Sequence, residues 1–200
     1  HQQLPADFPE MRVVNLLQLQ QQLTLDTYAD EVLSQAKLII LRLLGGRAYW
    51  SYGLEVLRET VEMSGGHLIV MPGDDGIDPD LCSHSTVPLT IVNQLWQYFN
   101  EGGVSNFCNG LKYAQDKCLD GDNYPLDPQS VPRVGPYPVA EVKGAIAQVG
   151  IIFYRAHYLA SNTKPIDALC QALIQQKLQP VPLYISSLRD MQVQDQVIEV

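Results

Sequence analysis

The chain has 200 residues, 46% of them hydrophobic and 18% charged, with a formal net charge of −9. That is enough apolar material for one large α/β domain, or for one domain and part of another. The acidic balance leaves no basic face to release counterions, which excludes nucleic acid or an anionic membrane as the main partner.

The four cysteines (Cys82, Cys108, Cys118, Cys170) form no CxxC pair and no Cys/His cluster at metal spacing. A reduced, cytoplasmic chain with buried thiols is therefore expected, with no metal site of its own. The opening His1-Gln2-Gln3-Leu4-Pro5 lacks the order of a signal peptide, and no apolar run approaches the ~20 residues needed to span a bilayer. A start at histidine leads to the expectation that the chain is a piece of something longer.

The apolar run Arg12 to Leu17 suits a first strand. Asp26 is positioned to cap a helix running through Tyr28 and Val32 towards Ala36. Residues 38–43 then form a short, partly β-branched run suited to a buried strand, closed by Gly45-Gly46. From Tyr52 to Met63, Leu54, Leu57 and Val61 fall at helical spacing with charged residues outside, and Gly65-Gly66 ends the pattern. His67 to Met71 reads as a third strand, broken by Pro72-Gly73. The order β, α, β, α, β with long crossovers predicts half of a mostly parallel, doubly wound sheet of flavodoxin or Rossmann type.

A loop, GDDGIDPDLCSHSTVP, follows. Two apolar stripes (Ile91, Val92, Leu95, Trp96, Phe99; then Val104, Phe107, Leu111, Cys118) flank Gly102-Gly103 and predict a helical hairpin on the sheet. Prolines 125, 128, 132, 136 and 138 predict an ordered connector. Ala147 to Tyr154 reads as a strand. Thr163 caps a helix carrying Ile166, Leu169, Cys170, Leu173 and Ile174, and Pro182 to Ser186 is the next strand. The expected division is a first α/β unit over 11–120, a connector over 121–144 and a β-α-β unit over 145–200. That last unit either joins the first sheet or begins a second.

Groups at the carboxyl ends of parallel strands collect on one edge, where open-sheet proteins bind ligands. Arg42, Gly45, Gly46, Arg47, Tyr49 and Trp50 follow the second strand. Asp74, Asp75, Asp78, Asp80 and His84 follow the third. Arg155, His157, Tyr158 and Asn162 follow the fourth, and Ser186, Ser187, Arg189 and Asp190 the fifth. Cations, aromatic rings and amides together suit a large, flat ligand bearing carboxylates.

Each feature also has a purely structural reading. The glycine pair matches neither GxGxxG nor a P-loop, so it is a tight turn and not a phosphate cradle. Tyr49 and Trp50 suit covering a core edge better than stacking on a ligand. The aspartates lack the EF-hand order, and Asp78 or Asp80 beside Pro79 suits a helix cap. Arg155 and His157, placed directly after a buried strand, are the strongest ligand candidates. Spacing alone assigns no catalytic residue.

Four stretches, RLLGGRAYWSYGLEVL (42–57), MPGDDGIDPDLCSHSTVP (71–88), GIIFYRAHYLASNTKPIDALCQAL (150–173) and YISSLRD (184–190), occur in this order. Together they resemble the CobN/magnesium-chelatase family, most closely its cobalt-inserting large subunits near the amino terminus. The motif matches fall at Arg42, Gly45, Gly46, Trp50, Gly53, Pro72, Gly73, Tyr154, Arg155, Asn162, Ser187 and Leu188. The resemblance implies a fragment of a subunit that presents a tetrapyrrole, hydrogenobyrinic acid a,c-diamide, for Co²⁺ insertion in cobalamin biosynthesis. It also implies that ATP and Mg²⁺ sit on separate AAA+ partner subunits, with no cofactor on this piece. Arg47, Trp50, Arg155, His157 and Arg189 become the expected ligand-facing set. Rival readings are a porphyrin-binding magnesium chelatase subunit, a structural or docking module of such a subunit, and an unrelated flavodoxin-like domain.

Overall fold

A computed structural model describes residues 4–74 and 76–199, so Asp75, one of the loop aspartates singled out above, lies outside the described residues. Two compact units are present. The first runs to Glu101 and takes up again over Asn106–Gln129, while the second comprises Gly102–Ser105 and the chain from Ser130 on.

The first unit is built on two parallel strands, β1 (Leu38–Leu43) and β2 (His67–Pro72), paired from Leu38↔His67 to Leu43↔Pro72. Before them come a 3-10 turn at Leu16–Leu19 and helix α1 (Gln22–Glu31). The expected strand over Arg12 to Leu17 is thus absent. Val13, Val14 and Leu17 are exposed and only Leu16 packs on the core, and among the described residues the run has no partner strand. Asp26 lies inside α1 rather than at its start, and its carboxylate accepts a hydrogen bond from the Tyr52 hydroxyl at 2.8 Å.

Helix α2 (Ser51–Ser64) buries Leu54, Leu57 and Val61, the stripe expected from its spacing. Gly65 ends it in the left-handed region (φ 72°), where its N–H closes onto the Val61 carbonyl at 2.9 Å. Strand β2 is buried on both faces. Leu68 and Val70 join a core with Leu41, Leu43, Leu54, Leu57 and Val61, whereas Ile69 and Met71 join another with Val92, Leu95 and Ala114. That second core is contributed by β2, the short α3 (Pro79–Cys82), α4 (Leu89–Glu101) and α5 (Gly103–Cys118). Helices on both faces of a parallel pair are the layering of a doubly wound α/β fold, here with two strands instead of the three expected.

α4 and α5 form the expected hairpin, turning at Gly102 and Gly103, both at positive φ (70° and 83°). They pack closely: a Cβ on Gly110 would meet the Tyr98 Cβ at 2.9 Å, and the Phe99 and Phe107 rings lie 4.7 Å apart. The proline-rich stretch is fastened at its start. Asn106, only 2% exposed, donates to the Gln129 carbonyl and accepts from the Gln129 N–H, each at 2.8 Å.

The second unit carries its own three-stranded sheet, ordered β3 (Val134–Pro136), β5 (Leu178–Ile185), β4 (Ala147–Tyr154). β4 and β5 are parallel and β3 is antiparallel. Helix α7 (Lys164–Gln175) covers one face, where Ile166 and Cys170 meet Phe153 and Tyr184. Thr163 takes the cap position without a side-chain cap bond; its hydroxyl instead donates to Asp167 at 3.2 Å.

Strand β5 begins four residues before the expected Pro182, with Pro180 and Pro182 inside it. The Pro182 carbonyl accepts from Tyr137 N at 2.8 Å, so its backbone polar edge faces the short β3 side and the missing N–H removes no bond to β4. Helix α6 (Arg155–Leu159) and helix α8 (Met191–Ile198) complete the unit.

Candidate functional site

In the first unit the carboxyl ends of β1 and β2 bring the glycine turn beside the aspartate loop. Gly45 and Gly46 both take positive φ (88° and 71°), a conformation strained for any side chain, and lead into a 3-10 turn at Arg47–Tyr49. Gly73 N donates to the Leu43 carbonyl at 2.8 Å, and Arg42 Nη2 donates to the Gly73 carbonyl at 3.1 Å. Arg47 lies 3.9 Å from Asp80, an exposed pair of little energetic weight. Asp78 caps α3, its Oδ1 accepting from Leu81 N at 3.0 Å, which is the helix-cap alternative raised for these aspartates. His84 has a buried Nδ1 with no hydrogen-bond partner among the described residues.

Of the two expected ligand-facing residues in this unit, Arg47 is exposed and Trp50 is not. Trp50 is 8% exposed and sits in the core with Leu54 and Leu57. Its ring occupies the space that a Cβ on Gly53 would fill, 2.2 Å from the indole Cε2. The pairing of tryptophan with glycine three residues later is therefore a packing requirement.

In the second unit the carboxyl ends of β4 and β5 hold Arg155, His157 and Arg189. Arg155 opens α6, and its Nη2 donates to the Val131 carbonyl at 2.7 Å. His157 and Arg189 are exposed. Asp190 caps α8 and binds Arg133 at 2.8 Å. Around Arg155 lies an aromatic group the spacing did not reveal. Tyr158 stacks on Tyr184 with centroids 4.3 Å apart and rings 9° from parallel, while Tyr137 sits edge-on to Phe153 and to Tyr158 at 5.6 and 6.4 Å. Burial pushes the Tyr184 hydroxyl pKa up, the nearby Tyr158 adds to that, and Arg155 opposes it. The signal available in sequence was Phe153 and Tyr184, which pair in register.

The five expected residues thus divide between two sheets, two on the first unit and three on the second. Cavities of about 400 and 340 Å³ lie in the first unit, at α1 and at the amino ends of β1 and β2, and none of the five lines them. Among the described residues no group of three or more His, Cys, Asp or Glu is placed to hold a metal ion. Among them, too, no helix is long and apolar enough to cross a membrane.

Fold and edge chemistry define an α/β protein with cationic, aromatic strand ends, in whose sequence neither GxGxxG nor a P-loop motif occurs. The chain belongs to the CobN/magnesium chelatase family, whose pattern matches residues 96–200. It is 35% identical over 198 residues to an aerobic cobaltochelatase subunit CobN of Pseudomonas aeruginosa, and 34% identical over 199 residues to one from a Sinorhizobium species. These alignments cover 94% and 90% of this chain but 16% of each relative. A solved structure, the catalytic subunit of cobaltochelatase from Mycobacterium tuberculosis, is similar at a TM-score of 0.72 and 26% identity, over 88% of this chain and 15% of that one.

Proposed function

We propose that the chain is a segment of the large, tetrapyrrole-binding subunit of a cytoplasmic, ATP-dependent cobaltochelatase. That enzyme inserts Co²⁺ into hydrogenobyrinic acid a,c-diamide. The observation that carries the reading is the 35% identity along 94% of the chain to a protein named as a cobaltochelatase subunit. ATP and Mg²⁺ belong on AAA+ partner subunits, in keeping with the absence of GxGxxG and P-loop motifs in this sequence. By itself the segment is inactive. Its part is positioning: exposed Arg47 and Arg189, with Arg155, offer cations to the ring's carboxylates, and exposed His157 offers a ring N–H, while the macrocycle is held for metal entry. Trp50, packed over Gly53, supports the turn that carries Arg47.

A docking role with no ring contact is the second reading, favoured by the burial of Trp50 and by the division of the five residues between two sheets. Titrating the protein with a corrinoid and with a porphyrin, read by tryptophan quenching, separates the two. Corrinoid quenching that is weakened at least tenfold in Arg155→Ala, with circular dichroism unchanged, supports ring binding. Quenching by the porphyrin alone favours a magnesium chelatase, and quenching by neither leaves docking.

A further inference from the structure

The strand edges in this protein are managed unequally. The outer edge of β2 is occupied by side chains: Val70 N donates to Ser85 Oγ and Leu68 N to Thr86 Oγ1, both at 2.8 Å, while Thr86 N returns a bond to the Leu68 carbonyl. The β3 edge is blunted by its length of three residues and by Pro136. The outer edge of β4 has neither device. It runs for eight residues, AQVGIIFY, with no charged residue, no proline and an unbroken register to β5. Among the described residues β5 is its only strand partner. The flanking Ile146 and the strand's Ile152 and Tyr154 are 75%, 48% and 62% exposed, while Phe153, facing α7, is 9% exposed. Long, flat, apolar edges of this kind are pairing templates, and soluble proteins cover them.

Topology says what covers it. β4, α7 and β5 form one parallel crossover unit, and α8 follows β5. β5 already has a neighbour on each side, and β3 is short, antiparallel and ends in proline. In this sheet, among the described residues, β4 is the edge that remains for a further parallel strand, and such a strand joins through a crossover connection.

We propose that the free edge of β4 is paired, in parallel, by a strand from the remainder of the same large subunit, giving the order β3-β5-β4-next strand. The curated relatives are long enough to supply it, since this chain spans 16% of their length. The proposal rests on the reading of the chain as a segment of such a subunit, and is indifferent to which ring or metal that subunit handles.

Hydrogen–deuterium exchange on the full-length subunit tests it, with peptides over 178–185 as the internal standard. Peptides over 147–154 are expected to be as protected as those of β5 at every amide, at concentrations where the subunit is monomeric. Rapid exchange of about half of the 147–154 amides, as an unpaired edge shows, overturns the proposal. So does protection that appears only as concentration is raised, which assigns the edge to a second copy. A coding sequence that stopped after Val200 overturns the segment reading itself, before any exchange is measured.

Discussion

Gly53 and Trp50 show how a family motif divides into parts that pack and parts that face solvent. In the stretch from Arg42 to Gly53, the glycines at 45 and 46 set a left-handed turn, Arg47 faces solvent, and Trp50 is held in the core by the space at Gly53. Gly53→Ala is expected to expel the indole from its place and cost about 1–3 kcal/mol, an overpacking penalty. Thermal unfolding and a red-shifted tryptophan emission check this, and an unchanged emission contradicts it. Cys82 supplies a pH test. Burial pushes its thiol pKa up, and the nearby Asp78 charge adds to the rise. The folded state therefore holds a proton that the unfolded state releases. Stability is full below the unfolded thiol value of about 8.5 and falls as pH rises from there through the folded value. The urea midpoint should decline above that pH, and decline less steeply in Cys82→Ala.

At the scale of elements, the strands at 38–43, 67–72 and 147–154 and the helices at 51–64 and 89–118 were legible because each is one strong local pattern. What escaped depended on distant partners. The run at 12–17 has strand-forming residues but nothing to pair with, so it stays outside both sheets. β5 looked too short because Pro180 argues against extending the strand back before Pro182, and only the Tyr137 bond to the Pro182 carbonyl shows that the bare nitrogen of Pro182 faces the short β3 side. The prolines marked the connector as ordered, but what fastens it did not show, because that is Asn106, more than twenty residues earlier in the chain. Asn106→Ala leaves the Gln129 amide and carbonyl without their partner in a buried setting, and should cost about 1–3 kcal/mol. It should also raise proteolysis within 119–133. Loss of stability with no new cleavage there contradicts the clamp.

For the molecule as a whole, the sequence read as α/β with parallel pairing, and that is the fold. The expectation of one shared ligand edge needed residues 145–200 to join the first sheet, one of the two alternatives left open, and no local pattern reveals which strands pair across a sequence separation of a hundred residues. The candidate polar residues at 47, 155, 157 and 189 could be listed because they follow strands, whereas Tyr137, Tyr158 and Tyr184 assemble only in the folded second unit. The proposed function sets this segment inside a metal-inserting subunit, so metal insertion is the measurement that reaches the central claim. The full-length subunit, combined with AAA+ partner subunits, ATP and Mg²⁺, should insert Co²⁺ into a corrinoid and leave protoporphyrin free of Mg²⁺. Insertion of Mg²⁺ into protoporphyrin, with no cobalt entering the corrinoid, would contradict it.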